Sequence, residues 1–426
     1  MKSFEKIIGY EPVKKELYQI IDMFKNKEKY DNIGAKLPHN LIIFGPPGIG
    51  KTMLANALIE ECNVKSFIIK KNKDDKETLD EINKVFDEAE KENKAIILID
   101  DIDKFSDSSD EDVDDKSFAA IQSAIDRVKD KNILVVATAN NYRKLPESLV
   151  RSGRFDRKIA LRKPTYEDAR KIIEFYMKDK RVDSNVNYDD IAKMINYKSC
   201  ADLEKILNES AIYAAYRDAD TLSMDDIVKA YLRSQFGSPD EAYECTIDDV
   251  KATALHECGH AVVAEVLKKG SVGFIYVDGS GKRFADGFTN ICEDFKRRPE
   301  NIMIALAGKC AVELFLEGRC GSGCQSDIGK AIGMLKGGIS ESRTCGLGLI
   351  DASSGLDNPS DSYSSKLETV IQAELERYMF IVRDILLKNK DFLLNLCEKL
   401  TEKKMLLYSE VQEVRNKHTI SDALYY

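Results

Sequence analysis

The chain has 426 residues, a formal net charge of -9 and a sequence pI near 5.3. Its length predicts more than one domain, because single hydrophobic cores stop growing near about 250–300 residues. The acidic balance argues against a nucleic-acid partner. Ten cysteines are scattered along a sequence with no secretory leader, so we expect reduced thiols and a cytoplasmic protein. The longest apolar runs are far shorter than the roughly 20 residues that cross a bilayer, which predicts no integral membrane segment.

Three regions follow one another along the sequence. In residues 1–161, short apolar runs at 41–44, 95–99 and 133–138 alternate with helical segments, a pattern typical of an α/β domain with a mostly parallel sheet. Residues 162–237 show only helical periodicity and predict a small all-α domain. Residues 238–426 predict a third, mainly α-helical domain, interrupted by a less regular, glycine-rich stretch between about 270 and 362. The predicted fold class is therefore α/β plus all-α.

The first domain contains a phosphate-binding pattern between a predicted strand and a predicted helix. In this context the backbone amides and the helix N-terminus cradle phosphates, the lysine reaches the β and γ groups, and the threonine binds Mg²⁺. The pattern predicts a site for ATP with Mg²⁺. Its residues are Gly45, Pro46, Pro47, Gly48, Ile49, Gly50, Lys51 and Thr52.

Further polar residues follow the next predicted strands. Asp100 and Asp101 end a buried apolar run, so we expect Asp100 to hold Mg²⁺ and Asp101 to polarise the attacking water. Asn140 ends the following strand and could orient that water or sense the γ-phosphate. Arg151 and Arg154 are candidate arginine fingers, which neutralise charge that develops in phosphoryl transfer; spacing alone does not exclude surface salt bridges for either.

The third domain contains two of the four histidines in the chain, in His256-Glu257-Cys258-Gly259-His260. On a helix, a four-residue step places both imidazoles on one face, where they can share a Zn²⁺ ion. Glu257 then lies beside the metal-activated water and can act as general base in peptide hydrolysis. The alternative reading is an amphipathic helix with two surface histidines.

In this order, the phosphate loop, the helical domain and the histidine motif resemble an AAA+ ATPase with its helical lid, followed by a zinc peptidase of the FtsH family of ATP-dependent metalloproteases. The resemblance extends to the run at 199–211 and to the run at 307–313. In that family the third zinc ligand is an aspartate in a segment that 321–328 resembles, which implies Asp327. Glu313 is the alternative ligand, because other zincins use a glutamate from a downstream helix.

The resemblance also implies a homohexameric ring and polypeptide substrates, because arginine fingers act on nucleotide held by a neighbouring subunit. Three departures from the family are visible. The sequence begins almost directly with the ATPase domain, without membrane-spanning segments ahead of it. The segment after the second strand, 66–76, is charged and has no residue that matches the family's gripping aromatic. Asp101 stands where the family has glutamate, so we expect slow ATP hydrolysis.

The leading interpretation is an ATP-dependent zinc metalloendopeptidase that degrades polypeptides. One alternative is an AAA+ remodeller or chaperone whose peptidase domain is idle. Another is a nucleotide-regulated ring scaffold with an active peptidase, which would cut loosely folded substrates and spare stable domains.

Overall fold

The computed structural model describes residues 3–35, 40–71, 75–106, 111–129, 131–151, 153–237, 247–278, 286–293, 295–296, 298–316, 324–340 and 361–422. The chain divides into two compact units. The first contains Met1–Arg181 and Tyr197–Thr221, and the second contains Val182–Asn196 and Leu222–Tyr426.

The first unit is built on a parallel five-stranded sheet with strand order β2-β3-β4-β1-β5. The interior strands β3 and β4 are buried along their whole length, which is why they appear in the sequence as continuous apolar runs. Apolar cores lie on both faces of the sheet. The elements up to the end of the sheet are α1 (Glu11–Lys25), α2 (Lys27–Asp31), β1 (Asn40–Phe44), α3 (Lys51–Cys62), β2 (Lys65–Ile69), α4 (Asp75–Ala89), β3 (Ala95–Ile99), α5 (Glu111–Arg127), β4 (Ile133–Ala139), α6 (Glu147–Val150) and β5 (Arg157–Ala160).

The strand order brings the carboxyl ends of β1, β3 and β4 to one edge of the sheet, because all their pairings are parallel. Those ends carry the phosphate loop, the two aspartates and Asn140. The short strand β5 was not predicted from the sequence; it pairs with β1 at the edge of the sheet.

Four helices occupy the segment 162–237, which the sequence predicts as all-α. Serine side chains cap two of them: Ser199 and Ser223 each accept from the backbone three residues on, in capping boxes completed by aspartates. The segment contributes to both compact units, since residues 182–196 and 222–237 group with the C-terminal region. The boundaries at 161 and 237 stay predictions. The helices are α7 (Tyr166–Met177), α8 (Tyr188–Met194), α9 (Cys200–Tyr216) and α10 (Met224–Phe236).

The described residues of the second unit contain six further helices and a small antiparallel sheet of order β7-β6-β8. One face of this sheet packs on α11. The other packs on α10 through an aromatic cluster and on the backbone at the end of α8. The elements are α11 (Ile247–Leu267), β6 (Val272–Asp278), β7 (Asp286–Ile291), α12 (Arg298–Phe315), α13 (Cys324–Ser340), α14 (Asp361–Lys388), α15 (Lys390–Lys403), β8 (Met405–Leu407) and α16 (Tyr408–Asn416).

The prediction of a less regular stretch between 270 and 362 was wrong for much of its length. Strands β6 and β7 and helices α12 and α13 lie within it. Some glycines of this stretch, among them Gly273, Gly287 and Gly308, allow close packing within regular elements and do not mark irregular chain. A Cβ at Gly273, for example, would lie 2.3 Å from the Lys193 carbonyl oxygen.

The described residues give two further findings. Searched over the residues that the structure describes, the chain offers no helix with the length and apolar character needed to cross a bilayer. The seven described cysteines are free thiols: Cys62, Cys200, Cys258, Cys292, Cys310, Cys324 and Cys397.

Helix α16 receives its cap from a residue far away in sequence. Asp190 on α8 is buried, and its carboxylate accepts from Ser409 N and Ser409 Oγ, both at 2.7 Å. We expect Asp190→Ala to lower the free energy of unfolding by about 0.5–2 kcal/mol, because it removes the side-chain cap of α16. Thermal melting checks this. Asp189→Ala, next to it on the same helix, is the control and should shift the melting midpoint less; equal shifts would contradict the capping role.

Candidate metal centre and nucleotide site

The nucleotide-type site begins where β1 turns into α3. Gly48 has a φ of +73° and lies against the start of α9: its carbonyl accepts from Ala201 N at 3.0 Å, and a Cβ would lie 2.8 Å from Ser199 Oγ. Only glycine fits both the backbone conformation and this approach. The loop is thus held in place by the helical segment as well as by the sheet.

Lys51 is the first residue of α3, and its side chain is buried. Its Nζ donates to the carbonyls of Gly45 at 2.9 Å and Pro46 at 2.8 Å, and to Asn140 Oδ1 at 2.7 Å. Burial lowers the pKa of Lys51, against the opposing charges of the three aspartates beside it. The ammonium therefore lies at the mouth of the loop, and Asn140 is within its reach.

The predicted Mg²⁺ residues are adjacent. Thr52 Oγ1 donates to Asp100 Oδ1 at 2.9 Å, and Thr138 Oγ1 donates to the same oxygen at 2.8 Å. Burial raises the pKa of Asp100, but these hydrogen bonds and Lys70 outweigh it and lower the pKa overall. The carboxylate therefore stays ionised, as a Mg²⁺ ligand must. Sequence reasoning did not select Thr138, which sits inside an apolar strand.

Asp101 and Asn140 also meet. Asn140 Nδ2 donates to Asp101 Oδ1 at 3.1 Å, and Lys104 pairs with Asp101 Oδ2 at 2.7 Å. Asp103, which sequence reasoning missed, accepts from the backbone N–H of Asn140 and Asn141 at 2.9 and 3.0 Å. It fixes the loop after β4. The sequence contained one indication of this role, because Asp103 follows Asp100 and Asp101 closely at the end of the same strand.

The two candidate arginines differ in their surroundings. Arg154 is engaged within its own chain, with Asp126 at 2.8 and 3.2 Å, Gln122 at 3.1 Å and the Ser148 carbonyl. Arg151, at the end of α6, is exposed. The two side chains therefore do not share one role in this structure.

Helix α11 places the two imidazoles of the histidine motif on one face, toward α13. His256 Nε2 and His260 Nε2 lie 3.0 Å apart, and Asp327 Oδ2 lies 3.1 Å from the first and 3.2 Å from the second. Donors bound to one tetrahedral zinc ion at about 2.0–2.2 Å lie about 3.3–3.6 Å from one another. The two imidazoles and the carboxylate converge at nearly this spacing. They fit a Zn²⁺ ion that keeps at least one coordination position open.

Neighbouring groups orient each of these donors. His260 Nδ1 lies 2.6 Å from the Ile304 carbonyl, which can only accept, so Nδ1 carries the proton and Nε2 faces the cluster. Lys330 holds Asp327 Oδ1 at 2.9 Å and leaves Oδ2 to the histidines. Cys324 Sγ lies 3.8 Å from His256 Nδ1.

The charges of the cluster support one another. Burial raises the pKa of Asp327, but hydrogen bonds with both histidines, and Lys330 nearby, hold it well below the ordinary aspartate value. Burial lowers the pKa of His260, but its contact with Asp327 and the charge of Glu257 outweigh this and raise it. The cluster keeps an ionised carboxylate beside two imidazoles, which favours a divalent cation.

Glu257 is buried next to the cluster, and strand β7 holds it. Thr289 Oγ1 lies 2.8 Å from Glu257 Oε2 and 2.9 Å from the Glu257 carbonyl oxygen. Gly287 leaves the space that Glu257 Cγ occupies, since a Cβ there would lie 2.8 Å away. Nothing in the sequence pattern marks Thr289, because its partner is about thirty residues away.

Glu313, the alternative ligand, does not join the histidines. Its carboxylate pairs with Arg383 at 2.8 Å and with Lys309 at 2.5 Å. Among the described residues, the cluster able to hold a metal ion consists of His256, His260 and Asp327. The segment 321–323, which formed part of the expected aspartate motif, lies outside the described residues.

A cavity of about 640 Å³ opens beside the cluster. Helices α11, α12 and α13 and strand β7 contribute to its wall. The lining combines the polar cluster with apolar side chains, a combination common in sites that bind a ligand by shape and orient it by a few polar groups. The apolar part of the wall includes Ala252, Phe288, Ile291, Ile304, Ala305, Val312 and Met334.

The chain therefore combines an α/β domain that has a nucleotide-binding loop with a mainly helical region that carries a histidine–aspartate cluster. Residues 41–163 match the family described as "ATPase family associated with various cellular activities (AAA)". The predicted fold class, an AAA α/β domain with a largely helical remainder, is confirmed.

The chain is similar to proteins named ATP-dependent zinc metalloprotease FtsH. It is 27% identical to the one from Mycoplasma mobile over 97% of this chain and 62% of that protein. It is 33% identical to FtsH 1 of Alkaliphilus metalliredigens, over 78% of this chain and 60% of that protein, and 27% identical to FtsH of Helicobacter felis, over 99% and 71%. The predicted resemblance to FtsH is thus confirmed over nearly the whole chain, which spans about 60% of the length of the first two relatives.

Gly308 on α12 provides a test of the cluster's geometry. A Cβ at this position would lie 2.5–2.6 Å from three atoms of the His256 ring. We expect Gly308→Ala to displace the ring and lower zinc affinity by at least about tenfold. Competitive chelator titration measures this. Gly333→Ala, on an open surface of α13, is the matched control and should bind zinc as the unaltered chain does; equal affinities in all three would contradict the assigned geometry.

Proposed function

We propose that the protein is an ATP-dependent zinc metalloendopeptidase that degrades polypeptides. The observation that carries the proposal is the convergence of His256 Nε2, His260 Nε2 and Asp327 Oδ2 beside a buried Glu257. Similarity to FtsH proteins along nearly the whole chain supports it, and so does the AAA match over 41–163. The remodeller and scaffold alternatives gain no support from these findings.

His256, His260 and Asp327 would hold Zn²⁺. Zinc in such a site polarises a substrate carbonyl and lowers the pKa of bound water. Glu257 acts as general base and then returns the proton to the leaving amine. Because Thr289 holds Oε2, the proton is carried at Oε1. Lys330 and the Ile304 carbonyl keep the donors oriented during the reaction.

A polypeptide substrate suits the surroundings of the cluster. Strand β7 forms one edge of its sheet among the described strands, and it lines the cavity beside Glu257. An extended peptide can add to such an edge through main-chain hydrogen bonds, which are independent of its sequence. The apolar wall of the cavity can then take a side chain next to the bond that is cut.

In the ATPase domain, Gly45–Gly50 and Lys51 would bind the phosphates of ATP, and Thr52 and Asp100 would hold Mg²⁺. Asp101 and Asn140 lie together where they can orient the attacking water. The exposed Arg151 is available to a neighbouring subunit, whereas Arg154 is bound to Asp126 within its own chain. A homohexameric ring and a cytoplasmic location remain predictions.

Digestion of casein tests the proposed function. We expect cleavage that requires both zinc and ATP, and that stops after chelation. Glu257→Gln should reduce cleavage by about 10²–10⁴-fold and retain bound zinc, because the base is lost while the donors stay in place. Glu300→Gln at the start of α12 is the control. Retained cleavage in Glu257→Gln would place the base elsewhere, and cleavage indifferent to nucleotide would favour the scaffold reading.

The arginines are tested separately by ATP turnover. We expect Arg151→Ala to lower kcat for ATP about 10³-fold and leave nucleotide affinity and melting temperature unchanged, since its side chain contributes only when a neighbour's nucleotide is present. Arg154→Ala should lower the melting temperature, because Asp126 and Gln122 lose their partner. Normal turnover in Arg151→Ala would rule out its role as arginine finger.

A further inference from the structure

Strand β7 contacts different parts of the second unit with its two faces. Gly287 and Thr289 point toward α11 and contact Glu257. Phe288 and Asn290 point the other way, as alternate residues of a strand must. Asn290 Nδ2 donates to the Met194 carbonyl at 2.6 Å and to Tyr231 Oη at 3.1 Å.

These partners lie on α8 and α10, within the segment that the sequence predicts as the helical domain of the ATPase. The contact is close-packed. Phe288 lies 6.2 Å from Tyr231 and 5.5 Å from Phe236, measured between ring centroids. Just beyond the end of α8, Asn196 Nδ2 donates to the Cys292 carbonyl at 2.5 Å, directly after β7. A shift of α8 would therefore move β7.

The same stretch of chain also reaches the nucleotide site. In the first unit, Ser199 and Ala201 contact Gly48 of the phosphate loop. Only Tyr197 and Lys198 separate them in sequence from Asn196. Tyr197 has a φ of +62°, a conformation that non-glycine residues rarely adopt. A short covalent link thus joins residues that contact the phosphate loop to residues that hold β7.

We propose that β7 transmits the occupancy of the nucleotide site to the general base, with Thr289 as a positioning residue for Glu257 and Asn290 as the residue that ties the strand to α8 and α10. The proposal deepens the proposed function and rests on it for the role of Glu257. ATP then affects cleavage itself as well as any unfolding of the substrate. Cleavage of a short, unstructured peptide responds to nucleotide for this reason.

Hydrogen–deuterium exchange of the amides in 286–291 tests the coupling without relying on activity. With a slowly hydrolysed ATP analogue bound, exchange in β7 of the unaltered protein should change by at least about fivefold relative to the nucleotide-free protein. In Asn290→Leu, which removes both amide donors at similar volume, the change should vanish although nucleotide affinity is retained. Asn395→Leu on α15 is the matched control and should respond as the unaltered protein does. No nucleotide effect on β7 in the unaltered protein, or a full effect in Asn290→Leu, would overturn the proposal.

Peptide kinetics tests the positioning role. Thr289→Val should lower kcat about 10-fold or more with little change in KM, and Thr289→Ser, which keeps the hydroxyl, should restore most of it. Asn290→Leu should cleave the peptide without nucleotide at the ordinary rate and lose the nucleotide response. A Thr289→Ser variant as slow as Thr289→Val would show a packing role only.

If Glu257→Gln still cleaves the peptide, the proposed function fails, while the exchange experiment continues to test the coupling by itself.

Discussion

The close approach of α11 and α12 is the constraint on which the metal centre depends. A Cβ at Gly259 would lie 2.7 Å from the Ala307 carbonyl oxygen, and one at Gly308 would overlap the His256 ring. With glycine at both positions, the helices come near enough for His260 Nδ1 to reach the Ile304 carbonyl. That contact fixes the tautomer that turns Nε2 toward Asp327. A larger residue at Gly259 would push the two helices apart, and one at Gly308 would displace the His256 ring.

The nucleotide site depends on a comparable constraint in the first unit. Parallel pairing of β3 with β4, and of β4 with β1, brings Asp100, Asn140 and the phosphate loop to one edge, and side-chain hydrogen bonds then fix their distances. Thr138 is a buried polar residue in an otherwise apolar strand, and its hydroxyl binds the Asp100 carboxylate. Burying a hydroxyl costs free energy unless it forms hydrogen bonds. Here the Thr138 hydroxyl donates to Asp100 and accepts from the backbone N–H of Asp101.

The helical segment 162–237 contributes to both compact units. Its α7 and α9 belong with the nucleotide site, whereas α8 and α10 cover the small sheet whose strand β7 holds Glu257. The packing of α8 and α10 buries aromatic rings, and Asp190 caps α16 from α8. The proposed coupling uses this segment as its physical route. It requires that the segment adopt two arrangements, of which nucleotide binding favours one.

The sequence by itself determined the phosphate loop, the three buried strands, the helices of 162–237 and the two histidines with their glutamate, because these follow from local periodicity and fixed spacing. It also indicated Asp327 through resemblance, with Glu313 left open. Only the tertiary structure separated the surroundings of those two carboxylates: it pairs Glu313 with Arg383 and brings Asp327 to the histidines. It alone revealed Thr289, Thr138 and Gly308, whose partners are distant in sequence. Packing, which local pattern does not encode, determines which distant residues meet.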